Sequence, residues 1–190
     1  MKKIKTILII SGSPREGQNS EQITKFCSET AEKRGVKTDI FLVNDKNISP
    51  CTACDGCKKK SICVKDDDMQ KLYPKMENCD AIILCSPTYF GSVSAQIKIM
   101  MDRSISLRRN GFKLKNKICG GITIGNSRNG GQELAMQTIH AWAHIQGMIV
   151  VGDNNHFGGI CQAPFEKDDV GKKTVEDLVN KVCDVLEMMK

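Results

Sequence analysis

The sequence predicts an α/β fold in a single domain: a three-layer sandwich with helices on both faces of a five-stranded parallel sheet. Five short apolar runs, rich in Ile, Val and Leu, recur along the chain, each of a length that suits a strand buried on both faces. Between them lie stretches whose apolar residues return at helical spacing, and this alternation is the mark of a parallel sheet. The length, 190 residues, holds one domain and an insertion around a proper core.

Lys5–Ser11 opens the series as a continuous β-branched run. Asn19 offers an N-cap, with Gln22 in capping-box position. Ile23, Phe26, Cys27 and Ala31 form a helical stripe that Gly35 closes. Val36–Val43 is the second strand and Asp68–Met76 a helix. Asp80–Ser86 is the third strand, and Ser94–Leu107 a helix carrying Ile97, Met100, Met101 and Ile105 on one side. Lys117–Gly125, the helix Gln132–Gln146, the strand Met148–Gly152 and the helix Lys172–Met189 complete the chain. Five strands with a phosphate-type loop after the first suit the flavodoxin-like order 2-1-3-4-5, with right-handed crossovers. The domain is taken as 1–190, and residues 44–65 interrupt the alternation as a Cys-rich insertion after strand 2.

Lys and Arg number 28 against 22 Asp and Glu, a net charge of +6 spread along the chain apart from Lys58–Lys60. No nucleic-acid footprint is expected from so diffuse an excess. The apolar run near the start, Ile7–Ile10, is shorter than the ~7–15 residues of a secretory segment. No stretch approaches the ~20 apolar residues of a membrane span. A cytoplasmic protein is expected, and its ten cysteines then point to metal or redox chemistry rather than disulfides.

The first strand runs into Ser11-Gly-Ser-Pro-Arg-Glu-Gly-Gln-Asn-Ser20. A loop at a strand's carboxyl end that opens onto a helix N-terminus favours a phosphate, through free N–H groups and the helix dipole. Ser11, Ser13, Asn19 and Ser20 can add neutral donors and Arg15 a charge. Neither the Walker A pattern nor Gly-x-Gly-x-x-Gly is present, so a mononucleotide is favoured over a dinucleotide. Two more loops leave the same edge, Ser86-Pro-Thr-Tyr-Phe-Gly-Ser92 and Gly125-Asn-Ser-Arg-Asn-Gly-Gly131. Tyr89 and Phe90 beside Gly91 suit a flat ring with apolar faces and a polar edge, as a flavin has.

The most specific feature is Cys51-x2-Cys54-x2-Cys57-x5-Cys63. Iron–sulfur cubanes take four thiolates, often three from a compact turn. No second run exists, so Cys63 completes the same set. Structural zinc is the rival, but its ligand pairs usually sit on separate turns. Lys58–Lys60 and Lys65 read first as a solvated charge run; beside an anionic cluster they would also attract an acidic electron carrier. Cys27, Cys79, Cys85, Cys119, Cys161 and Cys183 read as small buried hydrophobes.

Together, Ser11-Gly-Ser-Pro-Arg, the four-cysteine run, Ser86-Pro-Thr-Tyr-Phe-Gly-Ser and Gly125-Asn-Ser-Arg-Asn-Gly-Gly-Gln-Glu133 resemble the iron–sulfur flavoproteins, within the NADPH-dependent FMN reductase and flavodoxin-like group. The resemblance runs from Lys5 to about Gly159. It implies FMN, one [4Fe–4S] cluster on Cys51, Cys54, Cys57 and Cys63, and homodimers pairing into homotetramers. It implies electrons arriving from a ferredoxin-like donor and passing through the cluster to FMN, with oxygen or peroxide as a suspected acceptor. Ser11, Ser13, Arg15, Asn19 and Ser20 would hold the phosphate; Pro87, Thr88, Tyr89, Phe90 and Gly91, with Asn126 and Ser127, would line the ring. A cluster-free NAD(P)H-dependent FMN or quinone reductase and a zinc-stabilised binding module without redox activity are the alternatives. No side chain is assigned as catalytic, since hydride transfer to a flavin needs no protein acid or base; His140 and His144 read as one plain helix face.

Overall fold

The computed structural model describes residues 4–189. The elements are β1 (Thr6–Ser11), α1 (Asn19–Lys33), β2 (Lys37–Leu42), α2 (Gly56–Lys60), α3 (Met69–Asn78), β3 (Ala81–Pro87), α4 (Ala95–Arg103), α5 (Ile105–Arg109), β4 (Ile118–Gly125), α6 (Gln132–Ile145), β5 (Ile149–Val151), β6 (Gly159–Gln162), a short 3-10 turn (Phe165–Lys167) and α7 (Asp169–Met188). The sheet order is β2-β1-β3-β4-β5, with β6 beside β4 and every pairing parallel. This is the expected flavodoxin-like order.

Strand side chains alternate between two cores, as the period of two requires. Leu8, Ile10, Ile82 and Leu84 face α3, α4, α5 and α6. Ile7, Ile9, Ile83 and Ile122 face α1 and α7. β1, β3 and β4 are buried almost throughout, which explains their unbroken apolar sequence. Among the described residues no helix is long and apolar enough to cross a membrane.

Four local expectations are corrected. The expected fifth strand supplies only half of its position: Ile149–Val151 pairs with the start of β4, and Gly159–Gln162 takes up the pairing along its end. The second half escapes a reading by hydropathy because Gly-Ile-Cys-Gln is only four residues long. The helix expected over Ser94–Leu107 divides at Ser104, whose hydroxyl bonds back to the Met101 carbonyl at 2.6 Å. Such side-chain competition with the backbone is typical of Ser within helices. The last helix starts at Asp169 rather than Lys172, because the Asp168 carboxylate accepts the Gly171 N–H at 3.0 Å. Finally, Asn19 is the first helical residue, not the cap; Gln18 occupies that position without a side-chain bond. Gly35, with φ +71°, does close α1, donating its N–H to the Glu32 carbonyl at 2.9 Å.

Candidate functional site

Three loops from the carboxyl ends of β1, β3 and β4 enclose a cavity of about 380 Å³, within the usual range for a small-molecule site. The loop after β1 contributes Ser13, Arg15, Gln18, Asn19 and Ser20; the loop after β3 contributes Pro87, Thr88 and Tyr89; the end of β4 contributes Ile124, Gly125 and Asn126. The Ser13 hydroxyl accepts the Arg15 N–H at 3.1 Å, which turns the first loop. The Glu21 carboxylate accepts the Gly17 N–H at 2.8 Å; that N–H and Lys25 hold its pKa below the usual carboxylate range. Asn19 Oδ1 accepts the Phe165 N–H at 2.8 Å, so the start of α1 is tied to the segment after β6. The loops after β3 and β4 meet at two glycines: Gly131 has φ +89°, and a Cβ there would stand 2.9 Å from Gly91 Cα. Thr88 Oγ1 is buried without a partner. A buried hydroxyl left unpaired is costly, and a ligand with a polar edge would satisfy it. The residues present fit FMN.

A second, smaller pocket lies over the cysteine insertion, lined by Cys51, Cys54, Cys57 and Cys63 together with Lys65, Arg103 and Arg109. Cys51 and Cys54 are exposed, Cys57 is buried and Cys63 is half-buried. Ala53, Asp55 and Ser61 all have φ between +52° and +58°, a conformation that costs non-glycine residues energy and persists where the surroundings enforce it. Those surroundings are visible. Gln70 Nε2 donates to the carbonyls of Cys63 at 2.8 Å and Lys65 at 2.6 Å. Asn110 Nδ2 donates to the Cys57 carbonyl at 3.3 Å. Arg109 Nη1 reaches Asp55 Oδ1 at 2.9 Å and Cys57 Sγ at 3.4 Å. The Gly56 N–H, the Thr52 hydroxyl and the charge of Lys65 lower the pKa of Cys54. Four thiols gathered among cationic side chains suit an anionic group bound through sulfur. Among the described residues no three Cys, His or acidic side chains converge closely enough to hold a single metal ion.

A family model described as NADPH-dependent FMN reductase matches residues 5–160. Over 181 residues, 95% of each chain, the sequence is 50% identical to an iron–sulfur flavoprotein of Methanosarcina thermophila. The chain belongs to the iron–sulfur flavoproteins of the NADPH-dependent FMN reductase family. It is also 42% identical over 191 residues, 97% of this chain and 98% of the other, to an iron–sulfur flavoprotein of Methanocaldococcus jannaschii. The fold is shared more widely. A WrbA-like flavodoxin of Agrobacterium tumefaciens superposes with a TM-score of 0.71 at 21% identity, over 99% of this chain and 100% of that one. FerB, an NAD(P)H:acceptor flavoenzyme of Paracoccus denitrificans, superposes with a TM-score of 0.70 at 19% identity, over 97% of this chain and 98% of that one. As a member of its family the protein is an FMN-dependent oxidoreductase.

Of the residues expected at the nucleotide, Ser13, Arg15, Asn19, Ser20, Pro87, Thr88, Tyr89 and Asn126 line the rim cavity. Ser11, Phe90, Gly91 and Ser127 lie outside its lining. Ser11 is buried as the last residue of β1. Phe90 is fully exposed and has φ +48°. Gly91 packs on Gly131, and the Ser127 carbonyl accepts Gln132 Nε2 at 2.7 Å. All four expected cysteine ligands share the second pocket. Gln18, Ala163, Arg103 and Arg109 line the two pockets without having been assigned to them. Gln18 lies inside the polar loop Ser11–Ser20 and so had a signal; the other three arrive from elements distant in sequence.

Proposed function

We propose that this protein relays electrons from a ferredoxin-like donor, through a [4Fe–4S] cluster on Cys51, Cys54, Cys57 and Cys63, to FMN in the rim cavity and on to an acceptor such as oxygen or peroxide. The observation that carries this reading is the gathering of those four thiols in one cation-lined pocket of a chain that also has a mononucleotide cavity. Once bound, the cluster would supply one-electron exchange and the flavin would couple it to two-electron chemistry.

The chain's own residues do the rest. The loop after β1 would receive the phosphate, with Ser13, Ser20 and Arg15 around it and the amino end of α1 behind it. Thr88 and Asn126 would meet the polar edge of the ring, and Tyr89 its face. In the other pocket the four thiolates would hold the cluster, and Arg109 and Lys65 would offset its negative charge. α4 joins the two sites: its N-cap Ser94 bonds to the Gly12 carbonyl of the phosphate loop, and its last residue, Arg103, lines the cysteine pocket. Nine helical residues span about 13 Å. Exposed Lys58, Lys59 and Lys60 beside the pocket favour an acidic carrier docking there. An apolar groove of about 410 Å³ lined by Met101, Ile105, Trp142 and Ile145 supports assembly as homodimers or homotetramers.

The test is anaerobic purification followed by iron, sulfide and flavin assays. We expect about four iron and four sulfide per FMN. Stoichiometric flavin without iron overturns the cluster and leaves the cluster-free NAD(P)H-dependent reductase, which the family description favours and which predicts rapid bleaching of the flavin by NADPH.

A further inference from the structure

Arg103 is 1% exposed. Its Nη1 donates to Asp67 Oδ2 at 2.6 Å and to the Ser49 carbonyl at 2.7 Å, and its Nη2 donates to Asp67 Oδ1 at 3.1 Å. This fork anchors the start of the insertion to its end, since Asp67 also takes the N–H and hydroxyl of Ser49. The Tyr73 hydroxyl donates to the Arg103 carbonyl at 3.0 Å. The two-nitrogen pairing with the Asp67 carboxylate keeps the buried guanidinium charged.

One donor is left over. Arg103 Nε is buried and has no hydrogen-bond partner, although the side chain lines the cysteine pocket with Cys63. An unpaired N–H of a buried cation is expensive. The fork to Asp67 and Ser49 uses only the two terminal nitrogens, so it does not account for Nε. Arginine can grip a carboxylate with its two terminal nitrogens and still present Nε, whereas lysine has one point charge that the carboxylate would claim.

We propose that Arg103 is a positioning residue for the iron–sulfur cluster, donating its Nε–H to a cluster or cysteine sulfur and thereby favouring the reduced, more negative state. This rests on the reading that the four cysteines hold a cluster. Hydrogen bonds to sulfur and nearby charge are among the determinants of cluster potentials. The other cationic groups facing the pocket, Lys65 and Arg109, are more exposed and more strongly screened.

The experiment compares anaerobically purified wild type and Arg103→Lys. We expect iron, sulfide and flavin contents to match, and the cluster midpoint potential to fall by about tenfold in the one-electron equilibrium, about 59 mV, with the flavin potential unmoved. A loaded Arg103→Lys protein with the wild-type cluster potential overturns the proposal. Wild type that contains flavin but no iron overturns the underlying cluster reading instead. Because Arg103→Lys can fail to fold, a second measurement leaves Arg103 intact. In Arg109→Lys protein labelled with 15N-arginine, pulsed EPR of the reduced cluster should show a 15N coupling, because among the described residues Arg103 is then the only arginine lining the pocket. A reduced cluster without that coupling overturns the proposal.

Discussion

Ser94 Oγ donates to the Gly12 carbonyl at 2.6 Å, and the same hydroxyl caps α4 by accepting the Ile97 N–H at 3.3 Å. The Ser94 N–H in turn donates to Ser86 Oγ at 3.0 Å. One serine thus fastens the loop after β1 to the loop after β3, the two walls of the nucleotide cavity. The closeness of that contact requires glycine at position 12, where a Cβ would overlap Ile97 Cγ1.

Gly12→Ala should therefore both destabilise the fold, by about 1–3 kcal/mol as overpacking does, and open the cavity walls. Urea unfolding of the flavin-free protein and the flavin content of the purified variant measure the two effects. A variant with full flavin and unchanged stability would show that the loops do not depend on this contact.

Thr88→Val separates binding from stability. The Thr88 hydroxyl is buried and unpaired on the wall of the rim cavity. Without ligand, replacing it by a methyl group should leave stability unchanged or slightly raised. If the hydroxyl bonds the ring, FMN affinity should weaken about two- to twelvefold, the worth of one neutral hydrogen bond of about 0.5–1.5 kcal/mol. Fluorescence titration of the flavin-free variant gives the answer.

Thiol reactivity should divide the ten cysteines. In cluster-free, reduced protein the exposed Cys54, whose pKa is lowered by the Gly56 N–H, the Thr52 hydroxyl and Lys65, should be alkylated early and below the pH range of an ordinary thiol. Burial pushes Cys85 and Cys119 up to about 12, so both should stay unmodified until the protein unfolds. Peptide mapping after timed iodoacetamide treatment reads the order. Modification of Cys119 ahead of Cys54 would contradict the packing described.

Asp67 should contribute to acid sensitivity. Burial raises its pKa, but the Arg103 guanidinium and the Ser49 hydroxyl and N–H outweigh burial and bring it to about 2 from 3.8. The folded value lies below the unfolded one, so the stabilisation is present above about pH 4 and is lost as the pH falls through about 2. The difference corresponds to about 2 kcal/mol. Asp67→Asn should be less stable than wild type at pH 7, and the gap should close toward pH 2. Urea unfolding across that range measures it, and a gap independent of pH would mean that Asp67 charge is not the cause.

The sequence alone determined the layered α/β architecture and singled out Cys51, Cys54, Cys57 and Cys63 as one group, while the strand order, to which the flavodoxin-like pattern is only the best fit, is decided by the pairings of the sheet. Apolar runs buried on both faces leave no other period, and a C-x2-C-x2-C turn is a local chemical signal that needs no partner to be read. It also marked the loop after β1 as a candidate phosphate site, because the polar residues and the helix start lie side by side in the chain. It did not show that Ser11, Phe90, Gly91 and Ser127 lie outside the lining of the rim cavity, since hydropathy and composition do not tell which way a loop side chain turns.

Only the tertiary structure decided that Arg103 lies under the cysteine insertion. On the sequence it is one more cation near the end of a helix, 36 residues from Asp67. Its burial arises from the packing of α4 against the insertion, and a long-range ion pair has no signature in local spacing. The same holds for the divided fifth strand and for the Asn19–Phe165 bond, which joins residues 146 apart. Local rules fix what each segment becomes, while contacts between distant segments fix which side chains meet.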